Sequence, residues 1–595
     1  MTGPTSAAVP DDLRPQLDEA ESALRRALAL RPADVPMRLE LARLLGARGR
    51  LEAAAMELAV VVAQEPRHAA AWRSLALLLR ALGHPDAEGG LRRALQESPA
   101  DPALTAELGR LLVESGRHGE ACAVLAPALL ATPDDAMLQF IQGCALEALG
   151  STDAAALAYR RAISLTPDLA AAHAGLGSTL QALDRLKEAA TVLRRVLRLR
   201  PLDSGARTAL GAALRRLGHS REAEGELRRA LTLSPNHAPA YANLGALRLH
   251  GQDEAAAAQA LDRALRLDPS LAEARLNRGF LHLTQGTLAA GWDDYSARFA
   301  ARRSRPPPPH TPQWNGAPLA GRTILVTPEQ GVGDEILFAS CLPDLITQAG
   351  RVIMECDPRL IPLFARSFPK ADVRPKGSVA AGEADVQAPA GSLPRFLRRH
   401  LSAFPAVPSW LVADPERVAG WDRRLDALGT GLRVGIAWRS GLMTTERRAA
   451  YTALDQWAPL FAVPGLRLVN LQYGDCEAEL RDAERRFAIT IHRWPDLDLK
   501  DDFENTAALT AALDLVIAPS VSSGELAGAL GVPVWRIGHR DWTQLGTGVR
   551  PWYPSMRLFT ARHGESLPAV LGRMATELRR IGAPGAPPES PGQTF

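Results

Sequence analysis

The strongest constraint on the fold is a set of eight prolines that recur along the first half of the chain. Successive members lie 34, 33, 34, 34, 34, 34 and 34 residues apart. They are Pro32, Pro66, Pro99, Pro133, Pro167, Pro201, Pro235 and Pro269.

Small residues recur with the same period. Glycines lie ten residues after six of these prolines, at Gly109, Gly143, Gly177, Gly211, Gly245 and Gly279. Alanines lie 22 residues after five of them, at Ala121, Ala155, Ala189, Ala223 and Ala257. Because small residues let helices pack closely and proline can begin a unit where no N–H donor is needed, this period predicts stacked helix–turn–helix units.

Each 34-residue unit resembles a tetratricopeptide repeat. Trp72, Tyr159 and Tyr241 stand where that family carries aromatic residues. We predict a superhelix over residues 1–300, with about eight repeats and a partial first one whose second helix runs from Leu17 to Arg31. The resemblance implies a concave groove that binds another polypeptide.

Composition restricts the class of protein further. A chain of 595 residues predicts several domains, and a net charge of +3 gives no argument for a nucleic-acid or membrane partner. The five cysteines form no CxxC pair and no zinc-like cluster, so we expect no metal. The first residues do not read as a signal peptide, and no apolar stretch is long enough to span a membrane. A cytoplasmic location is the expectation.

The end of the repeat region allows two interpretations. The last unit contains the aromatic residues Trp292, Tyr295 and Phe299, which break the small-residue rule. They form either a terminal cap over the apolar end of the superhelix or a joint that docks onto the next domain. Residues 301–321 follow, and four consecutive prolines at 306–309 predict an extended linker there.

The second half has a different pattern. Short β-branched runs such as TILVT and DLVIAP alternate with amphipathic helical stretches, which predicts parallel sheets covered on both faces. We predict an α + α/β multidomain chain with two Rossmann-like halves, at 322–415 and 416–582, and a cleft between them. The tail, 583–595, is predicted to be disordered.

Two of the predicted loops follow the first strand of each half. In the first half, Gly331 and Gly333 form a turn that leads into a helix at Asp334. That aspartate either contributes to a ligand site at the carboxyl end of the strand or simply caps the helix. In the second half, Arg439 and Ser440 end a strand, with Arg447 and Arg448 close behind. These arginines are either phosphate ligands or part of a solvated basic loop.

Two further loops in the second half complete the candidate site. Gln472 ends a strand and is a candidate for reading a base edge. The turn Ser522, Ser523 and Gly524 leads into a helix near Glu525, whose N-terminal N–H groups and dipole favour a phosphate. The alternative interpretation of this turn is an ordinary serine cap.

The order of the motifs QGVGDEILFASCLPDL, WRSG, LQY, DLVIAPSVSSGELAGALGVPVW and RPWYPSMRLF resembles GT-B glycosyltransferases of the heptosyltransferase type. More closely, it resembles bacterial proteins in which tetratricopeptide repeats precede such a domain, some of which glycosylate flagellin. The resemblance implies that the repeats recruit a polypeptide acceptor, possibly flagellin, and that a sugar passes from a nucleotide-sugar to a Ser or Thr hydroxyl. Asp334 would be the base, Arg439 and the turn at 522–524 would hold the leaving phosphate, and neither a metal nor a bound cofactor is implied.

The chain departs from this family at two positions. Ser520 and Glu525 stand where relatives carry Asp and His. A glutamate beside a diphosphate repels it, so we expect a monophosphate-linked donor such as a CMP-sugar, unless an arginine such as Arg536 or Arg540 neutralises Glu525. The alternative function is a non-catalytic adaptor whose second half is a degenerate transferase scaffold.

Overall fold

The computed structural model describes residues 14–581, except 100, 302–310, 442, 444–449 and 563–564. The four linker prolines, Arg447, Arg448 and the tail at 583–595 therefore lie outside the described residues. Contacts divide the chain into two compact units, Met1–Leu214 and Arg215–Phe595. The second unit thus contains the last repeats together with both sheets.

The first unit is helical throughout its described residues. Its helices are α1 (Arg14–Leu30), α2 (Val35–Ala47), α3 (Leu51–Gln64), α4 (Ala69–Ala81), α5 (Ala87–Glu97), α6 (Pro102–Glu114), α7 (His118–Ala131), α8 (Ala136–Ala148), α9 (Thr152–Leu165), α10 (Ala170–Ala182), α11 (Leu186–Leu199) and α12 (Ser204–Arg216), the last reaching the unit boundary. After α1, the helices pack in successive pairs from α2 with α3 to α10 with α11.

Side chains near several of the repeat prolines cap the helix that follows. Asp101 and Asp135, two residues after their prolines, accept hydrogen bonds from backbone N–H groups in the first turns of α6 and α8. Such side-chain caps satisfy donors that a helix start leaves unpaired. Six residues after the proline, Trp72 and His173 hydrogen bond through a ring nitrogen to the carbonyls of Pro66 and Pro167, both at 2.9 Å. This contact explains the position of Trp72.

The recurring glycines lie where the two helices of one unit approach. A Cβ on Gly143 would lie 2.6 Å from the Tyr159 ring, and one on Gly177 would lie 2.8 Å from Leu193. The recurring alanines, such as Ala155, are fully buried at their own positions. The predicted role of small residues in close packing is confirmed. Tyr159 differs from Trp72, because it lies on the second helix of its unit and its ring covers Gly143 and Gly175.

Six more helices begin the second unit. They are α13 (Ser220–Leu233), α14 (Ala238–His250), α15 (Glu254–Leu267), α16 (Ala272–Thr284), α17 (Leu288–Tyr295) and α18 (Arg298–Ala301). Among them, α14 packs with α15 and α16 with α17. The glycine at the last repeat position, Gly279, meets backbone instead of a side chain. A Cβ there would lie 2.9 Å from the Tyr295 nitrogen. Backbone cannot move aside as a side chain does.

This contact gives a testable prediction. We expect Gly279→Ala to destabilise the protein by about 1–3 kcal/mol, because the methyl group forces α16 and α17 apart. Gly225→Ala is the matched control, since Gly225 lies inside α13 with nothing within 4 Å of its Cβ position. Alanine should stabilise there by about 0.5–1 kcal/mol. Urea unfolding of both variants measures the difference, and equal effects would contradict the packing argument.

The aromatic residues of the last repeat form a joint with the α/β part. Trp292 is buried, and its indole N–H donates to the carbonyl of Arg398 at 2.9 Å. Its ring makes edge contacts with Trp542 and Trp552. Of the two interpretations of these aromatics, the structure therefore shows the joint.

A charged pair reinforces the joint. Arg298 donates two hydrogen bonds to the carboxylate of Glu329, at 2.8 and 2.6 Å. Glu329 also accepts from the Gly391 N–H at 2.5 Å. Both side chains are at most 9% exposed, so each charge depends on the other for its neutralisation.

Two parallel sheets form the centre of the α/β part, as the sequence predicts. The first contains β1 (Thr323–Thr327), β2 (Arg351–Cys356), β3 (Asp372–Pro375) and β4 (Val386–Pro389), in the order β3-β2-β1-β4. The second contains β5 (Leu432–Ile436), β6 (Leu466–Asn470), β7 (Ile491–His492), β8 (Leu515–Ala518), β9 (Val534–Gly538) and β10 (Met556–Thr560), in the order β10-β9-β8-β5-β6-β7. All strand pairs are parallel. In both sheets the strand order reverses beside the first strand, as in doubly wound folds.

Ten helices pack around these sheets in the described residues. They are α19 (Val332–Ala339), α20 (Leu342–Gln348), α21 (Ile361–Ser367), α22 (Pro394–Leu397), α23 (Pro415–Asp426), α24 (Ala458–Phe461), α25 (Glu477–Phe487), α26 (Phe503–Ala511), α27 (Ser522–Ala529) and α28 (Leu567–Ile581). Short 3-10 turns occur at Pro358–Leu360, Ala390–Ser392, Leu401–Ala403, Leu454–Trp457 and Trp542–Gln544. Helices α19 and α27 pack against each other and bring the turn after β1 in the first sheet to the turn after β8 in the second.

Candidate functional site

A cavity of about 680 Å³ lies at the carboxyl ends of strands from both sheets. Its walls include the turns after β1, β5 and β8, which carry Gly331, Ser440 and Ser520 respectively. Strands β1 and β5 are the strands beside which the order of their sheets reverses. Open α/β sheets bind ligands at that position, because the loops on either side of the reversal separate and leave a crevice.

The structure brings six of the predicted site residues to this cavity. They are Gly331, Gly333, Asp334, Ser440, Ser522 and Glu525. The two halves lie close together at Gly333, since a Cβ on it would lie 3.5 Å from both the Ser522 Cα and the Glu525 Cγ. The starts of α19 and α27 therefore face one cavity, and their N-terminal N–H groups make it favourable for an anion.

Asp334 both caps its helix and lines the cavity. Its carboxylate accepts from the Gly331 N–H at 3.4 Å, in the third position of α19. The side chain is only partly buried. The preceding Gln330 adopts a left-handed φ of 65°, and its side-chain amide donates to the Tyr295 hydroxyl of α17 at 2.9 Å. Left-handed backbone at a non-glycine residue is typical of turns held by their surroundings.

Gln472 does not read a ligand, contrary to the prediction. Its side chain is 1% exposed, and its carbonyl oxygen accepts from the N–H groups of Trp438 and Arg439 at 3.1 and 3.0 Å. Its amide donates to the Tyr473 carbonyl at 3.1 Å. The amide group therefore joins the ends of β5 and β6, and every bond it makes is internal.

Two other predicted ligands in the second half also face inward. Ser523 is buried and donates its hydroxyl to the Leu471 carbonyl at 3.0 Å, and Gly524 is buried beside Pro519. Of the turn at 522–524, only Ser522 lines the cavity. The predicted serine pair is therefore reduced to one hydroxyl at the cavity surface.

Arg439 is held away from the role of a free phosphate ligand. Its guanidinium bonds to the Glu479 carboxylate at 2.5 and 3.0 Å, and donates to the Asp475 carbonyl at 2.8 Å. The hydrogen bonding of the Arg439 guanidinium to Glu479 is the largest cause of the raised Arg439 pKa. A phosphate here would have to compete with a carboxylate already in place.

Glu525 has an arginine partner other than the two considered from sequence. Arg550 lies 2.6 Å from its carboxylate, and both side chains are buried. Burial is the largest single influence and acts to lower the Arg550 pKa, but the combined effects of Glu525, Tyr553 and Asp541 leave the pKa raised. Arg536 instead pairs with Asp541, and Arg540 with Glu254. Arg550 therefore neutralises the negative charge of Glu525, which would otherwise repel a diphosphate.

Sequence reasoning missed several residues that line the cavity. Arg359 follows β2, Tyr473 follows β6, and Lys500 follows β7. Arg359 also donates to the Lys500 carbonyl at 3.0 Å, which links the two halves across the cavity. Their positions just after parallel strands are a signal that could have found them, because all such loops share one edge of a sheet.

Glu335, the neighbour of Asp334, is a buried carboxyl group with an altered pKa. Burial is the main cause that raises its pKa from 4.5 to about 7, while a hydrogen bond from the Asp357 N–H, at 2.9 Å, opposes the increase. The fold therefore favours the neutral acid, whereas the unfolded chain ionises near 4.5. Stability consequently falls as the pH rises from about 4.5 to about 7 and stays lowered above that.

The raised pKa of Glu335 predicts how the stability of the Glu335→Gln variant depends on pH. We expect the variant to unfold at a higher temperature than the parent protein at pH 8, because glutamine removes an acid that the buried site disfavours in its charged form. The gain should shrink to nearly nothing at pH 4.5, since each unit of pKa difference corresponds to about 1.4 kcal/mol. Thermal unfolding at both values measures it, and a gain that does not change with pH would refute the assignment.

The described residues contain no group of three or more His, Cys, Asp or Glu side chains placed to hold a metal ion. A search of the same residues for membrane-spanning helices finds none of sufficient length and apolarity.

Comparisons with known proteins identify the repeats. Tetratricopeptide-repeat family models match residues 16–78 and four overlapping segments at 106–170, 142–204, 174–238 and 208–272. The N-terminal part of the chain is a tetratricopeptide-repeat solenoid. Solenoids of this kind typically bind protein partners.

A curated relative also matches. The chain is similar to protein FlbA of Caulobacter vibrioides, at 37% identity over 321 residues. That alignment covers 51% of this chain and 54% of FlbA, so the chain spans about half the length of this relative.

Among solved structures, the chain is similar to YrrB, described as a TPR protein with an unusual peptide-binding site, at 23% identity over 31% of this chain and 95% of YrrB, with a TM-score of 0.27. It is similar to MamA of Desulfovibrio magneticus at 24% identity over 28% of this chain and 96% of MamA, with a TM-score of 0.26. A Parabacteroides merdae repeat protein gives 18% identity over 40% of this chain and 94% of its own, with a TM-score of 0.35.

Proposed function

We propose that this protein is a protein glycosyltransferase, in which the repeats bind a polypeptide acceptor and a GT-B-like pair of Rossmann-like halves transfers a sugar from a nucleotide-sugar. The observation that carries the proposal is the cavity where the carboxyl ends of two parallel sheets meet around a partly exposed carboxylate, Asp334. A cytoplasmic location is part of the proposal.

The charges around the cavity support group transfer from an anionic leaving group. Arg359 and Lys500 line it from opposite halves, and Ser440 and Ser522 add hydroxyl groups. The start of α27 contributes the positive end of a helix dipole. Together these groups favour a phosphate whose negative charge grows as the glycosidic bond breaks.

Asp334 is the group we assign as general base. Its carboxylate would take the proton of the acceptor hydroxyl as that oxygen attacks the anomeric carbon, while the bond to the phosphate oxygen breaks and its electron pair leaves with the nucleotide. The Gly331 N–H donates to this carboxylate, and the side chain lines the cavity into which the acceptor would enter. The carboxylate would thus be oriented before the acceptor arrives.

The proposed donor can be a sugar linked to a nucleoside diphosphate. Because Arg550 neutralises Glu525, the repulsion that favoured a CMP-linked sugar is removed, and UDP, GDP and ADP sugars fit the charge balance as well. Calorimetric titration with CMP, UDP, GDP and ADP tests nucleotide binding directly. We expect at least one to bind, and Lys500→Gln to weaken it by about three- to tenfold, because one phosphate contact is lost.

Lys187→Gln is the matched control for that titration, since Lys187 is an exposed residue of α11 in the other compact unit. It should leave nucleotide binding unchanged. Failure of all four nucleotides to bind would refute the transferase and favour the adaptor described next.

A non-catalytic adaptor is the second candidate. It is favoured by the internal bonds of Gln472, Ser523 and Arg439, which take three predicted donor ligands out of use. In that case the repeats alone would perform the function, and the α/β part would serve as a scaffold. Flagellin is the first acceptor to test, as the family resemblance implies, and it would be bound but not modified by an adaptor.

A further inference from the structure

A second cavity of about 450 Å³ lies in the α/β part and shares no lining residue with the first. It is formed by α20, the segment after α21, residues 404–410, and Pro551 with Trp552. Arg550, which precedes Pro551, lines the first cavity instead. The second cavity therefore has its own walls, and its volume is that of a small-molecule site.

The walls of this cavity are mainly apolar and rigid. Phe368, Phe404 and Trp410 line it together with several prolines. The Trp410 ring stacks on Tyr553 with centroids 5.0 Å apart, and the Phe404 ring packs edge-on against Trp552 at 4.9 Å. Aromatic rings fixed in this way form a cavity before any ligand arrives, so little ordering opposes binding.

The polar groups of the cavity have an excess of positive charge. Arg398 is 2% exposed, and Asp344 offsets its charge at 2.5 Å. Lys370 lines the same cavity from an exposed position, and no acid among the described residues lies within ion-pair distance of it. The indole N–H of Trp410 is buried without a hydrogen-bond acceptor in the described part of the chain.

We propose that this cavity binds a small amphipathic carboxylate, with its apolar body against the aromatic and proline walls and its carboxylate near Lys370. The Lys370 charge favours a ligand with one negative charge, and the apolar walls favour a hydrocarbon body over a sugar or nucleotide. The site differs in place and in ligand chemistry from the nucleotide-sugar cavity.

Calorimetric titration of the full chain with decanoate, decanol and decylammonium, below their micelle concentrations, tests this proposal. We expect decanoate to bind about three- to tenfold more tightly than decanol, and decylammonium to bind more weakly than either. Lys370→Gln should remove the preference for decanoate, whereas Lys187→Gln should retain it.

A second variant tests the location. Val407 lines the cavity and is 41% exposed, so Val407→Trp should fill the cavity and abolish binding of decanoate and decanol alike. Ser409→Phe, on the same segment, replaces it if the first variant fails to fold. Absence of decanoate binding, equal binding of decanoate and decanol, or unchanged binding in a folded filling variant would each overturn the proposal.

Discussion

Asp334→Asn is expected to reduce sugar transfer by about 10²- to 10⁴-fold, the usual cost of losing a general base. Asparagine keeps the shape of the side chain and can still accept from the Gly331 N–H, so α19 should start as before. Nucleotide binding, which depends on other groups, should stay within about twofold of the parent value. Single-turnover transfer assays at saturating donor measure the loss.

Asp482→Asn is the control for this variant. Asp482 lies on α25, pairs only with the exposed Arg485 among the described residues, and does not line the cavity. Transfer by this variant should match the parent protein. Near-normal transfer by a folded Asp334→Asn protein would remove Asp334 from the mechanism, while leaving the location of the donor cavity untouched.

Arg298→Met is expected to lower the free energy of unfolding by about 3–5 kcal/mol, because it leaves the Glu329 charge buried without its partner. Among the described residues, Glu329 would then retain the hydrogen bond from the Gly391 N–H, and that single bond cannot replace a guanidinium. Since Arg298 lies on α18 and Glu329 follows β1, the loss should loosen the joint between the last repeat and the first sheet. Urea unfolding and hydrogen exchange across residues 288–301 measure it.

A second substitution separates charge from packing. Adding Glu329→Gln to Arg298→Met removes the unpaired charge, so the double variant should recover most of the lost stability. Arg485→Met is the control for loss of a surface ion pair, since both members are exposed, and should cost less than about 1 kcal/mol. An Arg298→Met protein as stable as the Arg485→Met protein would show that the buried pair does not hold the joint.

The repeats could be predicted in detail because their signals are local and repeated. Each unit has a proline, a small residue at the close approach and a turn residue at a fixed distance. One such signal was missed, since Gly116 and Gly150 lie 17 residues after their prolines and adopt left-handed φ values, both 77°. Asp184 takes the same place, with φ of 57°. Any of these marks alone would be weak, but their common phase is specific.

The sheets could be predicted only where strands are continuous apolar runs. Strands β3 (DVRP), β4 (VQAP) and β10 (MRLFT) were missed, because each contains a polar or charged residue and two end in proline. Their strand character comes from pairing with β2, β1 and β9, which is a tertiary effect.

The cavity lies where the sequence predicts the site, but several of the predicted side chains face away from it. The glycine turn and the start of α27 follow from local sequence, whereas the inward position of Gln472 depends on β5 and β6 being neighbours. Likewise, the pairing of Glu525 with Arg550 joins residues on either side of β9. Such partners depend on the order of strands in the sheet, which cannot be derived from the local sequence.

We propose that this protein transfers sugar to a protein that the repeats bind. Intact-mass measurement of flagellin, and of other proteins that co-purify with the repeats, from cells with and without this protein tests it most directly. We expect an acceptor protein to be heavier by one or more whole sugar units only in cells that contain the parent protein. Asp334→Asn should abolish this increase in mass. If the bound partner proteins have identical masses in both cell types, sugar transfer is contradicted and the non-catalytic adaptor function is favoured.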